Sequence, residues 1–324
     1  MNSAIPMDWM LRPEAWALLA LLGALVGIQT AYFGLGGGWV VTPLLHLAGF
    51  PATWAVGTGM AYLAATSLYS VLRHRSGSPV DLRLGLAYGI MMSAGVELAR
   101  HIMLRMERTG QVDIAFRALY IVMLIAMGGW MMRVARREAL SSAETRVQSS
   151  TDSPPPPPAR APGELRFSRS GIRIHAARLA AEGAGIGVIS GTLGTGGGFA
   201  LVPIMTQVHG MTMLSAVTTS LVAVTCTGWA GTLGYAAAGR VDGGAALALF
   251  AGSLLGVPIG VRAAQRSRST VAKMVYGRVL WLGAGAMILG AAGYSAIGAM
   301  IAAGGASLVS AWIVARSRKR RSVA

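Results

Sequence analysis

Long apolar runs separated by short polar segments make up most of this chain. Clean runs cover 54–72, 82–99 and 114–132 in the first half, and about 211–237, 244–261, 279–296 and 297–315 in the second. Each approaches the roughly 20 apolar residues that a helix needs to cross a bilayer. Two further runs, 15–33 and 179–193, lead into glycine clusters. The pattern predicts an all-α polytopic membrane protein with about 8–9 apparent transmembrane segments.

The two glycine clusters share the motif Gly-x-Gly-Gly-Gly-x-x-x-x-Pro, which runs from Gly34 to Pro43 and again from Gly194 to Pro203. A shift of 160 residues aligns the motifs, and a shift of 161 then pairs 55–59 with 216–220 and Val80-Asp81 with Val241-Asp242. Chance similarity between apolar segments explains shared leucine and alanine, but not this order of Gly, Pro, Thr and Asp. We interpret the chain as two repeats, 1–132 and 179–324.

The segment between the repeats, 133–178, differs in composition. It holds nine arginines and five consecutive prolines, Pro154–Pro158. Such a composition cannot bury a core, so we expect an extended or disordered linker. A plain spacer is the favoured interpretation, and a proline-rich ligand for a partner domain is the alternative.

The formal charge of +16 lies in loops and tails between the apolar runs. Basic loops mark the cytoplasmic side of a membrane protein, so this charge indicates topology and not nucleic-acid binding. A cytoplasmic linker and C-terminal tail place 22 of the 28 Lys and Arg inside and the N-terminus outside. The segments 15–50 and 179–209 must then be re-entrant hairpins that enter from opposite faces. This predicts two inverted repeats, an arrangement typical of secondary transporters, unless both hairpins cross the membrane fully.

The glycine loops are the predicted substrate site. Irregular backbone at membrane depth survives where it lines a cavity or is packed in protein, and glycines let a ligand approach backbone amides. Helices starting near Trp39 and Phe199 would direct partial positive charge at an anion, although the glycines could instead only allow close helix packing. The predicted substrate-binding residues are Gly36, Gly37, Gly38, Gly196, Gly197, Gly198, Thr195, Thr58, Thr219, Gln29 and Ser190. The motif or hinge positions are Gly34, Pro43, Gly194 and Pro203.

Other polar groups fit plainer roles. Glu97 is an acid inside an apolar run, a pattern that can serve proton coupling, but Arg100 three residues later favours a local ion pair. Asp81 and Asp242 are interpreted as helix caps. The sequence shows no Ser/His/Asp, Cys/His or metal-ligand constellation, so we expect neither an enzyme nor a metal or cofactor.

The repeated glycine motif, the Ala-Val-x-Thr segment after it and the basic loop that ends in Val-Asp resemble the sulfite exporter TauE/SafE family. The resemblance covers nearly the whole chain apart from 133–178. It implies an inner-membrane permease of bacteria or archaea that moves small sulfur-containing anions, such as sulfite or sulfonates, or related organic acids. The two repeats differ at Gly57 and Gly59, where the second copy has Thr218 and Ser220. This difference implies that the two halves contribute unequally to any substrate site.

We therefore expect a secondary transporter, acting as an exporter, whose partners are a small anionic substrate and membrane lipid, without nucleic acid. The coupling to a proton or sodium gradient, the direction of transport and homo-oligomer formation stay open. A passive anion channel, or a membrane scaffold or sensor that signals through the linker, are the alternatives. Gradient-dependent flux would separate a transporter from a channel, and deletion of 145–165 would separate it from a scaffold.

Overall fold

The computed structural model describes residues 13–74, 80–144, 163–167, 170–265 and 269–319. The first half folds into helices α1 (Pro13–Phe33), α2 (Gly38–Leu47), α3 (Ala52–His74), α4 (Leu82–Arg108) and α5 (Val112–Glu144). Strands β1 (Glu164–Arg166) and β2 (Arg173–His175) then pair antiparallel. The second half folds into α6 (Ala176–Leu193), α7 (Gly198–Pro203), α8 (Met213–Ala237), α9 (Gly243–Ala264), α10 (Ser269–Ala291) and α11 (Ser295–Lys319).

The helices confirm the prediction of an all-α polytopic membrane protein. Within the described residues, seven of them (α1, α3, α4, α5, α8, α9 and α11) are long and apolar enough to cross a membrane. The predicted span 279–296 corresponds to α10, whose described apolar stretch is Leu280–Ala291. The short apolar pieces expected after the glycine clusters are α2 and α7, and α7 continues as one π-helical turn, Ile204–Val208.

The linker predicted for 133–178 is shorter than expected at both ends. Helix α5 continues to Glu144 because residues 133–144 are rich in Ala, Arg and Glu, which favour helix. The β hairpin also belongs to the fold, since Phe167, Ile172 and Ile174 are buried in the main hydrophobic cluster. The proline run lies outside the described residues.

Helix α1 of the first half packs along α9 of the second half. An added Cβ at Gly23 would overlap the carbonyl group of Leu249, and one at Gly27 would lie 3.0 Å from Cα of Ser253. Because the contacts advance together along both helices, α1 and α9 run parallel. The equivalent helices α6 and α4 form a second parallel pair, in which Gly183, Gly187 and Gly191 approach α4 in the same way.

The ends of the helices divide between two faces. On face A, the α8–α9 turn contacts the end of α4, because Nε of Arg240 donates to Glu107 at 3.1 Å. The start of α3 joins this face through Ala52 N, which donates to Asp113 Oδ1 at 2.9 Å. Helix α1 also starts there because it runs parallel to α9. The first hairpin, α1–α2, therefore begins and ends on face A.

Face B holds the opposite ends. The β hairpin before α6 contacts the start of α4, since Ser170 N donates to Asp81 Oδ2 at 3.1 Å. The segment after α7 returns to the first turns of α6, where His209 Nε2 lies 3.2 Å from Glu182 Oε2. The second hairpin, α6–α7, thus begins and ends on face B. This geometry favours inverted repeats, and the membrane side of each face stays a prediction.

The halves exchange one hydrogen bond at each helix cap. The N–H of Asp242 donates to Thr58 Oγ1 at 2.9 Å, and the N–H of Asp81 donates to Thr219 Oγ1 at 3.1 Å. Each aspartate caps the helix that follows it, as predicted, by accepting from Ala245 N at 2.8 Å or from Leu84 N at 3.1 Å. These repeated threonines therefore join the two halves.

Asp81→Ala should lower the thermal stability more than Asp242→Ala. Either change removes a helix cap, which costs about 0.5–2 kcal/mol. Asp81 alone also accepts from the N–H and hydroxyl of Ser170, at 3.1 and 2.7 Å, and hydrogen bonds to a charged group contribute about 1.5–3 kcal/mol. Thermal unfolding of the purified variants in detergent measures the difference. Equal unfolding midpoints would show that the β hairpin contributes no stability through this contact.

Candidate functional site

The two glycine loops lie side by side in the middle of the molecule. An added Cβ at Gly36 would come within 2.8 Å of both Leu63 and Val224, and one at Gly196 would meet the same two side chains. Leu63 is the midpoint of α3 and Val224 lies next to the midpoint of α8. The loop glycines Gly36 and Gly196 therefore lie level with the middle of two helices that are long enough to cross a membrane.

The loops contact each other through their ends. An added Cβ at Gly38 would overlap the carbonyl oxygen of Gly194, and one at Gly198 would overlap that of Gly34. Each of these carbonyls also accepts a hydrogen bond from the opposite half. Thr42 Oγ1 donates to the Gly194 oxygen at 3.1 Å, and Ser220 Oγ donates to the Gly34 oxygen at 2.9 Å. Both repeats thus contribute backbone to the contact between the loops.

The loop backbone requires glycine. The φ angles of Gly37 and Gly197, the N-cap residues of α2 and α7, are 72° and 76°, in the left-handed region that side chains rarely adopt. Within the described residues, the amide N–H groups of Gly36–Gly38 and of Gly196–Gly198 donate no hydrogen bond. Uncommitted amides at buried positions are rare, so these groups are available to a ligand.

Two buried hydroxyls beside the second loop also lack partners. Ser190 Oγ and Thr195 Oγ1 are fully buried and make no hydrogen bond to any described residue. Ser190 lies near Gly197, because an added Cβ there would be 3.6 Å from Ser190 Cβ. Thr195 lies against the start of α2, since its Cα would be 3.0 Å from an added Cβ at Gly38. Both were predicted site residues, and the structure brings them to the loops.

The first loop has different side chains at the equivalent positions. Thr30 stands where the second half has Ser190, and its hydroxyl donates to Val26 O at 2.9 Å. Leu35 stands where the second half has Thr195. The polar character of the site therefore comes mainly from the second loop, although the backbone geometry is shared.

The other predicted side chains lie away from the loops. The residues of α3 that lie against the loop glycines include Val56, Gly59, Tyr62 and Leu63. Thr58 instead faces Asp242, and Thr219 likewise faces Asp81. Gln29 faces α11, where its Nε2 donates to Ala306 O at 2.9 Å and to Ser310 Oγ at 3.1 Å. Its Oε1 is buried without a partner in the described residues.

The two prolines of the motif have different effects. Pro43 lies inside α2, which continues to Leu47, so it does not end the helix. Pro203 ends α7, and the π-helical turn Ile204–Val208 follows directly. Proline supplies no N–H for the helical ladder, and π turns inside helices often mark functional positions. The second hairpin is therefore the less regular of the two.

Charged groups lie at the two faces and not at the loops. The segments 15–72 and 179–239 contain no Lys or Arg. Glu97 pairs with Arg100, whose Nε donates to Glu97 Oε2 at 3.0 Å, and the glutamate side chain is half-exposed. This favours the ion-pair interpretation. Among the described residues, no group of three or more His, Cys, Asp or Glu could hold a metal ion.

The sequence interpretation missed one acidic group. Glu182, on α6, bonds to Tyr88 of α4 and to His209, near face B. The glutamate lies inside the run 179–193, which we interpret from the sequence as apolar. An acid within such a run is the signal that could have identified it.

Comparison with known proteins places this chain among membrane transporters. A family model described as sulfite exporter TauE/SafE matches residues 19–287. The chain is 23% identical over 277 residues to "Probable membrane transporter protein YunE" of Bacillus subtilis, covering 83% of this chain and 95% of that protein.

Two further relatives match over shorter lengths. "Probable membrane transporter protein MJ0441" of Methanocaldococcus jannaschii is 24% identical over 195 residues, 58% of this chain and 60% of that protein. "Probable membrane transporter protein YjnA" of Bacillus subtilis is 30% identical over 112 residues, 34% of this chain and 44% of that protein. No solved structure matches the chain.

Proposed function

Because this chain belongs to the sulfite exporter TauE/SafE family, and is a multi-pass membrane transport protein, we propose that it exports small sulfur-containing or organic anions by a secondary transport mechanism. Sulfite and sulfonates are the first candidates. We place the protein in the inner membrane with face B, the linker and the C-terminus in the cytoplasm, since this assignment puts most basic residues inside.

The observation that carries this proposal is the pair of unpartnered hydroxyls, Ser190 Oγ and Thr195 Oγ1, at the buried centre of the protein. A buried polar group without a hydrogen bond costs about 1–3 kcal/mol. Such a cost is tolerated where the group serves a ligand, and hydroxyl groups are good donors to an oxyanion.

The backbone around these hydroxyls also favours an anion. The uncommitted amides of both loops are donors, and the N-terminus of the ten-residue helix α2 adds partial positive charge at Gly38. Segments 15–72 and 179–239 contain no Lys or Arg. No cationic side chain next to the loops therefore holds the ligand permanently. A site made of dipoles and hydroxyls can bind an anion and still release it on the other side.

Transport requires the loops to separate. In this structure the ends of the two loops are in contact, at Gly38 with Gly194 and at Gly198 with Gly34. The first hairpin reaches the centre from face A and the second from face B. Movement of one hairpin at a time would therefore open the centre to one face at a time, which is alternating access.

The identity of the anion can be tested with the purified protein. Sulfite, thiosulfate and methanesulfonate are added to it in detergent, and the thermal unfolding midpoint is recorded against chloride at equal ionic strength. A ligand of the folded state raises the midpoint in proportion to its concentration over its dissociation constant. Proteoliposomes loaded with the stabilising anion should then show saturable efflux.

Two outcomes would contradict the proposal. No stabilisation by any of the three anions, together with no efflux, would exclude this substrate class. Efflux that rises linearly with concentration and does not respond to a proton or sodium gradient would instead identify a passive channel.

A further inference from the structure

A partly buried cluster of three side chains lies at the face B end of the second hairpin. Tyr88 of α4 donates from its hydroxyl to Glu182 Oε2 at 2.6 Å, and its oxygen lies 3.0 Å from His209 Nε2. His209 Nε2 also lies 3.2 Å from Glu182 Oε2. Arg178 completes the surroundings, since its Nε donates to the other oxygen of Glu182 at 2.8 Å.

The cluster joins parts of the chain that must separate if the second hairpin moves. Tyr88 belongs to the first half, Glu182 to α6, and His209 to the segment that follows the π-helical turn. The His209 side chain is 5% exposed, whereas that of Glu182 is 18% exposed and that of Arg178 is 56% exposed. Protons can therefore reach the cluster from face B.

Among the residues that the structure describes, the first hairpin has no equivalent of this cluster. His46, near the end of α2, has Nδ1 at 2.9 Å from Phe50 O, and its Nε2 accepts from Arg117 Nε at 2.9 Å. Both ring nitrogens are thus engaged in a way that requires a neutral imidazole, and the neighbouring cation opposes a second proton. Its nearest carboxylate, Asp113, is 3.9 Å away. The contact at His46 is therefore not expected to respond to a proton as the contact at His209 does.

The charge on His209 decides how firmly this contact holds. Glu182 accepts from Tyr88, Arg178 and His209, and these are the groups that act on its carboxylate in the described structure. Three donors favour its ionised form. Histidine is the side chain that changes charge between about pH 5 and 8. A protonated His209 forms an ion pair with Glu182, and a neutral one keeps at most a single hydrogen bond.

We infer that His209, Glu182 and Tyr88 form a proton-binding site that controls opening of the second hairpin at face B. A proton bound to the imidazole of His209 strengthens the bond to Glu182 and holds the hairpin against α4. Loss of that proton to the solvent at face B weakens the contact and lets the hairpin move. The charged pair stabilises the closed form while the imidazole carries its second proton, and this stabilisation is lost when the proton leaves.

This inference rests on the proposed function, and exchange of labelled thiosulfate across proteoliposomes at equal pH on both sides tests it. Thiosulfate is fully ionised in this range, so a pH effect belongs to the protein. We expect the wild-type rate to rise about tenfold between about pH 5 and 8. His209→Gln and Glu182→Gln should give rates that do not vary with pH. His101→Gln and Glu97→Gln, which change half-exposed or more exposed side chains of α4 near face A, should keep the wild-type profile.

Hydrogen–deuterium exchange gives a readout that does not depend on transport. Amides of residues 204–213 should exchange faster in His209→Gln than in the wild type at acidic pH, and equally at alkaline pH. If amide exchange and the pH profile of transport are both unchanged in the two variants, this inference is wrong, but the proposed function still stands. Absence of thiosulfate movement in the wild type would count against the proposed function, and the amide exchange would still decide whether the cluster controls the hairpin.

Discussion

Transport should be abolished when Gly38 is replaced by alanine. Gly38 has a helical backbone, so alanine introduces no strain of its own. Its Cβ would overlap the carbonyl oxygen of Gly194, a backbone atom that cannot rotate away. Overpacking of this kind costs about 1–3 kcal/mol, occasionally more, and it forces the two loops apart at the centre of the site. Efflux from proteoliposomes should fall to the level of empty liposomes.

Gly185→Ala is the matched control for this change. Gly185 lies in α6, in the second hairpin, and an added Cβ there would meet nothing within 4 Å. Alanine should raise helix stability at this position by about 0.8–1 kcal/mol and leave efflux unchanged. If Gly38→Ala inserts normally and transports at the wild-type rate, close approach of the loops is not required for function.

Removal of the two unpartnered hydroxyls should make the protein more stable and less active. Ser190→Ala and Thr195→Val each remove a buried polar atom that has no hydrogen bond among the described residues. The folded protein should therefore gain up to about 1–3 kcal/mol per site, seen as a higher thermal unfolding midpoint without ligand. Loss of a hydrogen bond to a charged ligand costs about as much in the opposite direction, so transport should fall about 10- to 100-fold at low substrate concentration.

Thr227→Val provides the comparison for this pair. Thr227 is also fully buried in a membrane helix, but its hydroxyl donates to Ala223 O at 2.8 Å. Its loss should bring no gain in stability and no loss of transport. If Ser190→Ala and Thr195→Val behave like Thr227→Val in both assays, the two hydroxyls do not bind the substrate.

The sequence was sufficient to predict the elements and the position of the loops. Apolar runs near the length of a bilayer give helices whatever their neighbours are, so α3, α8 and α9 appear close to the predicted bounds. Repetition of the glycine motif identified the two loops as equivalent. Ser190 and Thr195 are close to the second glycine motif in the sequence, and the structure has both residues beside the loops.

The sequence gives less where a side chain could face more than one neighbour. Thr58 repeats as Thr219, but repetition does not show which side of a helix faces the loops. On α3 that side carries Val56, Gly59, Tyr62 and Leu63, which share one face of the helix, and Thr58 lies off this face. The bond between Thr58 and Asp242 joins residues 184 apart. Contacts of this range cannot be deduced from one sequence.

The pairing of α1 with α9 has a consequence for biosynthesis. Gly23 leaves the ribosome 226 residues before Leu249, its contact on α9. At about 5–20 residues per second, roughly 10–45 s pass before that partner exists. During this interval the glycine-rich side of α1 is covered by lipid, by the translocation machinery or by a helix that is made before α9. In each threonine–aspartate hydrogen bond, the threonine comes from one half and the aspartate from the other. Neither repeat can therefore complete these contacts when it is expressed alone. Two separately translated halves should assemble only when they are made together.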